Sequence, residues 1–130
     1  MKQLLILHDK YSMSDDRIKI GHAAESAVVS LLKERGCIIL DRNVSDRMGE
    51  IDLIAQKGRQ IFVVEVRSRR HATFDDCLDS IGGVKRGRVR STARRWIAKN
   101  DLEFEEIRLC VAAVVWNSDK PEILFIEDAF

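Results

Sequence analysis

Two acidic residues, Asp52 and Glu65, interrupt stretches of the chain that are otherwise apolar and rich in β-branched residues. Asp52 lies in the run GEIDLIA at residues 49–55, and Glu65 lies in the run IFVVEVR at residues 61–67. Carboxylates are rarely placed in such surroundings unless a partner neutralises them. Arg67 comes two residues after Glu65, so both side chains project from the same face of a strand. Two acids with a nearby cation are the groups that a metal-dependent nuclease needs.

The two apolar runs predict antiparallel strands that are joined by a tight hairpin at residues 57–59. A turn at residues 58–59 would place Asp52 directly opposite Glu65, whereas a turn one residue earlier would make them diagonal neighbours. Opposed residues have Cβ atoms roughly 5 Å apart, and diagonal ones about 7–8 Å. Either register leaves the two carboxylates able to share a cation.

Hard divalent cations such as Mg²⁺ and Mn²⁺ bind carboxylate oxygens and keep several waters. Asp52 and Glu65 supply such oxygens, and Glu25, at the edge of the apolar stripe of a predicted helix, could close the site. The ion would polarise a phosphoryl oxygen and lower the pKa of an attacking water. Arg67 would hold the scissile phosphate, but it cannot act as general base because a guanidinium keeps its proton.

A structural interpretation of the same residues stays open. Arg67 could neutralise Asp52 and Glu65 across the sheet with no metal involved, and the spacing does not separate this ion pair from a metal site. Glu25, taken alone, has the position of an ordinary solvated helix glutamate.

The remaining patterns predict an α/β fold. Apolar residues at helical spacing predict a helix between Ser14 and Gly36, and a second helix follows at about residues 83–100. Residues 68–80 are predicted to be a loop. Further strands are predicted at residues 37–40, 109–116 and 123–126. The order of helix, three strands, helix and two strands predicts a mixed five-stranded sheet flanked by helices, in one domain over residues 1–130.

The second helix is strongly basic. Residues 83–99 contain seven lysines and arginines and no acid, although the whole chain has 22 basic and 21 acidic residues. Such a helix could follow the phosphates of a nucleic acid, with its first residues nearest the carboxylates. Alternatively, it is a solubilising face that pairs with the acidic residues 101–106. The candidate nucleic-acid contacts are Arg69, Lys85, Arg86 and Arg88.

Cysteine usage and the first residues suggest the compartment. Cys37, Cys77 and Cys110 are far apart and form no CxxC pair, which argues against a disulfide framework and against structural zinc. The first residues contain a four-residue apolar run, which is too short for a signal peptide or a membrane span. We expect a soluble cytoplasmic protein with no membrane partner.

Several short motifs occur in a fixed order along the chain. They are GxxxE at residues 21–25, Arg42-Asn43, GEIDLIA at residues 49–55, FVVEVRxR at residues 62–69 and FIEDAF at residues 125–130. Together they resemble the YraN-type family of bacterial proteins, with residues 1–16 as an N-terminal extension outside the match. That family is similar to the restriction-endonuclease-like superfamily, and particularly to archaeal Holliday-junction resolvases.

The resemblance implies an α/β/α core in which Glu25, Asp52 and Glu65 are the acids of a metal site. Arg67 stands where the superfamily usually has lysine, and Lys85 stands where the family places a lysine. Two positions depart from the family pattern. Arg86 replaces a frequent glutamine, and Cys110 replaces a common aspartate, so any role of that aspartate cannot carry over.

The function implied is that of a Mg²⁺- or Mn²⁺-dependent endonuclease that acts on structured or branched DNA. A homodimer is expected, because a four-way junction presents paired scissile strands to a two-fold symmetric enzyme. The alternative is a non-catalytic DNA- or RNA-binding module that keeps the fold and the basic helix.

Overall fold

The computed structural model describes the backbone of residues 2–6, 17–78 and 83–129, and the side chains within residues 19–78 and 86–129. The elements follow one another in the order strand, helix, three strands, two helices and two strands. They are β1 (Lys2–Ile6), α1 (Arg17–Glu34), β2 (Ile38–Ser45), β3 (Glu50–Lys57), β4 (Gln60–Arg70), α2 (Phe74–Leu78), α3 (Gly83–Asn100), β5 (Glu106–Trp116) and β6 (Pro121–Ile126). None of the helices in these described ranges is long and apolar enough to cross a lipid bilayer.

The strands form one mixed sheet in the order β1-β6-β5-β4-β3-β2. β4 and β5 run parallel and are connected through α3, while the other neighbouring pairs run antiparallel. The five strands predicted from the sequence are all present in this sheet, and the predicted mixed α/β fold is confirmed. β1 is an addition to them, and it pairs with β6 at the edge of the sheet.

The sheet separates two helical layers. On β4, Phe62 and Val64 belong to the core cluster that packs with α1, whereas Ile61 and Val63 belong to the cluster that packs with α3. Successive residues of a strand point to opposite faces, so α1 and α3 cover opposite faces of the sheet. This is the α/β/α arrangement that the family resemblance implies.

The first helix ends where the sequence predicts. Gly36 has a φ of +85°, and its N–H donates to the carbonyl of Lys33, while the N–H of Cys37 donates to the carbonyl of Leu32. These bonds satisfy carbonyls at the C-terminus of α1, and glycine adopts this backbone conformation without steric cost. The predicted start at Ser14 lies outside the described residues. Within the described residues, α1 begins at Arg17.

Two segments are more regular than the sequence suggests. β4 continues to Arg70 and α2 occupies Phe74–Leu78, although residues 68–80 read as a loop. β4 can extend because β5 pairs with it as far as Arg70. β2 likewise continues through the mostly polar residues 41–45, where it pairs with β3.

Candidate active site

Asp52 and Glu65 lie at the point where β3 and β4 cease to pair. The turn places Gly58 at its first central position with a φ of +60°, and the ladder then runs to the pair of Leu53 and Val64. This is the register in which residues 58–59 form the turn, so continuing it by one pair sets Asp52 opposite Glu65. Beyond Val64, β4 keeps β5 as its ladder partner.

At this point a side chain of β3 hydrogen bonds to the backbone of β4. The main-chain N–H of Val66 donates to Oδ2 of Asp52 at a distance of 2.8 Å. The half-buried Asp52 carboxylate therefore accepts from β4 just past the end of the ladder, and the bond fixes the orientation of this acid.

Glu65 is the most buried of the three predicted acids. Its side chain is 1% exposed, and Nη2 of Arg67 lies 3.9 Å from its Oε2. Arg67 is 22% exposed and reaches from the same face of β4, as the spacing predicts. The separation exceeds that of a hydrogen bond, so the two groups form a loose ion pair that holds a carboxylate in the interior.

Glu25 approaches the same region from α1. Nη2 of Arg42 lies 3.8 Å from its Oε2, and the side chain of Asn43 hydrogen bonds to it. Burial raises the pKa of Glu25, and the negative charge of Asp52 raises it further. Arg42, His22 and the Asn43 hydrogen bond act in the opposite direction. Glu25 and Asp52 are therefore close enough to repel each other.

A cavity of about 670 Å³ lies between α1 and the end of β4. Ile20, Gly21 and Glu25 line it from α1, and residues 66–70 line it from β4. Three of these five β4 residues are arginines and Glu25 is the one acid among the described residues of the lining, so this lining carries a net positive charge. Guanidinium groups are well suited to bind phosphate because they donate two parallel hydrogen bonds.

The predicted nucleic-acid contacts divide between two places. Arg69 lines the cavity, and its Nη1 donates to the carbonyl of Ser68 at 2.8 Å. Arg86 and Arg88 are exposed on α3, which packs against the opposite face of the sheet from α1. The side chain of Lys85 lies outside the described residues.

The donor set has the chemistry of a site for a hard cation. Carboxylate oxygens are the preferred ligands of Mg²⁺ and Mn²⁺, and a cation would relieve the repulsion between Glu25 and Asp52. Within the described side chains, no three His, Cys, Asp or Glu residues already form a group that could hold a metal. Mg²⁺ is usually held by one or two carboxylates together with waters and substrate phosphates, so a complete protein cage is not required.

The cysteines take no part in this site. Cys37, Cys77 and Cys110 are all buried and form no disulfide, as expected from their spacing. Burial raises the pKa of Cys110 to about 12, so its thiol is neutral at physiological pH. The position where the resembled family commonly has aspartate therefore carries no charge in this chain.

Comparison with known proteins shows the family. The model of "Uncharacterised protein family UPF0102" matches residues 24–114, a range that contains Glu25, Asp52, Glu65 and Arg67. The chain belongs to the UPF0102 family. The predicted resemblance to the YraN-type family is thereby confirmed.

UPF0102 relatives cover most of the chain. The UPF0102 protein of Dictyoglomus turgidum is 35% identical over 115 residues, which is 86% of this chain and 97% of the relative. The UPF0102 protein of Clostridium tetani is 35% identical over 114 residues, covering 86% and 93%. The UPF0102 protein of Myxococcus xanthus is 34% identical over 115 residues, covering 88% and 91%. These names state no activity, so the function of this UPF0102 protein has to be argued from its site.

Sequence reasoning missed the partners of Glu25. Arg42 and Asn43 both contact it, and neither was identified as a site residue. The signal was the Arg42-Asn43 motif, because an arginine and an asparagine beside a short apolar strand call for a polar partner. Asn43 also has a φ of +52°, a conformation that asparagine adopts more readily than most residues.

Proposed function

We propose that this UPF0102 protein is a Mg²⁺- or Mn²⁺-dependent endonuclease that hydrolyses phosphodiester bonds in structured or branched DNA. The observation that carries the proposal is the hydrogen bond from Val66 to Asp52, which holds this acid beside Glu25 next to the arginine-lined cavity. Acids that can bind a metal and cations that can bind a phosphate are thus available together, as phosphodiester hydrolysis requires.

The carboxylates of the three acids would coordinate or face the ion. Asp52 and Glu65 would bind it from neighbouring strands, waters and the substrate phosphate would complete its coordination, and Glu25 would face the ion from α1. When bound, the ion would polarise the phosphoryl oxygen and lower the pKa of the attacking water. The Val66 N–H keeps the Asp52 carboxylate oriented before any ion arrives, which reduces the reorganisation needed for binding.

The arginines of β4 would bind the substrate. Arg67 would donate to the scissile phosphate and stabilise the negative charge that grows on it. Arg69, on the same side of β4, would contact a neighbouring phosphate. Neither guanidinium can accept a proton from water at an accessible pH, so activation of the water falls to the metal and the carboxylates.

Branched DNA is the substrate class that we infer for this chemistry. A four-way junction presents two scissile strands related by a two-fold axis, so we expect two copies of the chain to act together. The resemblance to junction-resolving nucleases supports this choice.

One observation favours a second candidate, a nucleic-acid-binding module without turnover. The exposed surface of α3 carries basic residues that need no metal and no acid in order to bind phosphates. They are Arg86, Arg88, Arg90, Arg94, Arg95 and Lys99.

The experiment that tests the proposal is a cleavage assay on a four-way DNA junction, with a linear duplex of the same sequence beside it. We expect junction cleavage that depends on Mg²⁺ or Mn²⁺ and that Asp52→Asn reduces to the metal-free level. Asp119→Asn is the matched control, since Asp119 is an exposed acid in the connection between β5 and β6. It should cleave like the unchanged protein.

The two candidates give different results in this assay. Junction binding that is equal in the unchanged protein and Asp52→Asn, without cleavage in either, would replace the nuclease with the binding module. If neither binding nor cleavage is seen, both candidates are wrong, and Arg67 with its acids is a structural ion pair.

A further inference from the structure

The carboxylate of Asp46 joins the loop at residues 46–49 to α3 through hydrogen bonds. Oδ1 of Asp46 accepts the N–H of Met48 at 2.8 Å and that of Gly49 at 3.1 Å, and the hydroxyl of Thr92 at 3.2 Å. Oδ2 accepts from Nε of Arg95 at 2.6 Å. Two of these hydrogen bonds order the loop itself, and the other two join it to α3.

This loop and α3 enclose a hollow of about 470 Å³, here called the Trp96 pocket. Its apolar lining comes from Val44, Met48 and Trp96, and Met48 is 55% exposed. The indole N–H of Trp96 donates to Oδ2 of Asp41 at 2.9 Å, which holds the ring in place. A fixed aromatic ring and an exposed thioether therefore border the same space.

The rim of the Trp96 pocket is cationic. Arg47, Arg95 and Lys99 line it together with one acid, Asp46, whose carboxylate is already bonded to Arg95. A partner that suits both parts must carry a flat apolar group and negative charges beside it. A nucleotide has both, and proteins that bind single strands combine aromatic platforms with cationic grooves in this way.

The Trp96 pocket is close to the candidate active site along the chain. Gly49 ends the loop and Asp52 is three residues further on, which is about 10 Å of extended strand. The pocket lies on α3, which covers the face of the sheet opposite to α1, so a single strand that contacts both the pocket and the arginine-lined cavity has to pass the end of β3.

We propose that the Trp96 pocket binds an unpaired base of single-stranded DNA, with Arg47 and Lys99 contacting the flanking phosphates. The base stacks on the indole of Trp96, and Met48 covers its other side. The choice of DNA over RNA rests on the proposed function, whereas the binding of a base in this pocket does not.

Tryptophan fluorescence can report this contact directly. The chain has two tryptophans, and Trp116 is 1% exposed with its indole N–H bonded to Ser68. Titration with an unstructured oligothymidylate in EDTA should therefore quench Trp96 by stacking, with no cleavage to complicate the signal. Trp96→Phe keeps an aromatic platform, so it should retain the affinity, measured by anisotropy of a labelled oligonucleotide, and lose the quenching.

Affinity measurements separate stacking from charge. Trp96→Leu should weaken binding by about fivefold or more. Lys99→Ala should weaken binding and lower the dependence on salt, whereas Lys120→Ala, which changes an exposed lysine between β5 and β6, should do neither. Met48→Ala, which removes the thioether without changing the charge, is a second variant for the apolar wall and should also weaken binding.

The results that would overturn the inference are equally specific. Equal affinity for an abasic oligonucleotide, or no quenching by oligothymidylate, would show that no base enters the pocket. Tighter binding of the matching RNA would overturn the assignment to DNA. Asp52→Asn should bind the oligonucleotide normally, so a failure of the active-site proposal and a failure of this one would appear in different assays.

Discussion

The main-chain N–H of Val66 donates a hydrogen bond to Oδ2 of Asp52 at 2.8 Å. The acid belongs to β3 and the amide to β4, and the bond forms just beyond the last pair of the ladder between these strands. Asp52 is thus oriented by the neighbouring strand. A metal site built on this acid would be largely formed before the ion binds.

Asp52→Asn and Asp52→Ala should differ in stability. The amide oxygen of asparagine can still accept from Val66, whereas alanine removes this acceptor from a half-buried N–H. We expect Asp52→Ala to have the lower free energy of unfolding, by about 1–2 kcal/mol, as measured by urea denaturation. Equal stability of the two variants would mean that the bond does not hold the end of β3 to β4.

Arg67→Ala should cost more stability than Arg69→Ala. Arg67 lies near the buried carboxylate of Glu65, while Arg69 is exposed. Because the Arg67 guanidinium and the Glu65 carboxylate are far apart for an ion pair and Arg67 is partly exposed, we expect Arg67→Ala to lower the free energy of unfolding by about 1–2 kcal/mol. For Arg69→Ala we expect about 0.5 kcal/mol or less. Urea denaturation measures both values.

The stability of the arginine variants should also be measured in the presence of Mn²⁺. A divalent cation near Glu65 would replace the missing positive charge, so Mn²⁺ should restore part of the stability of Arg67→Ala. A loss that Mn²⁺ does not change would favour the structural ion pair over the metal site.

Glu25→Gln should stabilise the protein at neutral pH. The pKa of Glu25 is raised above its ordinary value of 4.5, mainly by burial and then by Asp52. A carboxyl that holds its proton more tightly when folded favours folding at low pH, and this contribution is lost as the pH rises through the raised pKa. Glutamine stays neutral, so the variant should gain up to about 1 kcal/mol at pH 7.

The pH dependence of the stability difference shows whether the gain of Glu25→Gln comes from the charge of Glu25. Below about pH 4 Glu25 is protonated in both the folded and the unfolded chain, so the advantage of Glu25→Gln should disappear there. Unfolding midpoints measured across this range give the comparison. Destabilisation by the glutamine at pH 7 would show that the contacts with Arg42 and Asn43 outweigh the cost of burial.

Gly49→Ala should destabilise the protein, whereas Gly87→Ala should not. A Cβ at Gly49 would lie 3.1 Å from Cβ of Arg88 and from Oγ1 of Thr92, so alanine would push the loop away from α3. We expect a cost of about 1–2 kcal/mol. A Cβ at Gly87 meets nothing within 4 Å, and alanine in a helix interior should gain about 0.5–1 kcal/mol. Thermal unfolding of both variants checks the prediction, and an equal effect would contradict the close contact.

Much of the fold was predictable because local patterns and tertiary structure agree. The apolar runs around Asp52 and Glu65 are long enough to identify a hairpin, and Gly58 fixes the turn that sets its register. β1 could not be predicted, since its short apolar run becomes a strand only through pairing with β6. α2 has five residues, and its Cys77 packs with Ala113 and Val115 of β5, which are distant in sequence.

The acidic residues of the candidate site could be predicted from the sequence, whereas the residues that contact Glu25 could not. Asp52, Glu65 and Arg67 stand out because charged residues interrupt apolar strands, a signal that lies within the sequence itself. The contact of Glu25 with Arg42 depends on how β2 passes α1, and β2 has a shift in register between Ile39 and Asp41. Such a shift leaves no clear trace in the pattern of apolar residues.

The expectation that the basic helix begins close to the carboxylates came from chain order. It stays a prediction. Chain order gives no information about which face of the sheet a helix covers, and α3 packs on the face opposite to α1. The arginines at the end of β4, which looked like part of a loop, are the cations that line the cavity beside Glu25.

The metal site itself is tested most directly by a crystal soaked in Mn²⁺ and measured for anomalous scattering. We predict a peak between the carboxylates of Asp52 and Glu65, within coordination distance of Asp52. Data with no peak at that position, and with the guanidinium of Arg67 lying between the two acids, would contradict the proposed nuclease.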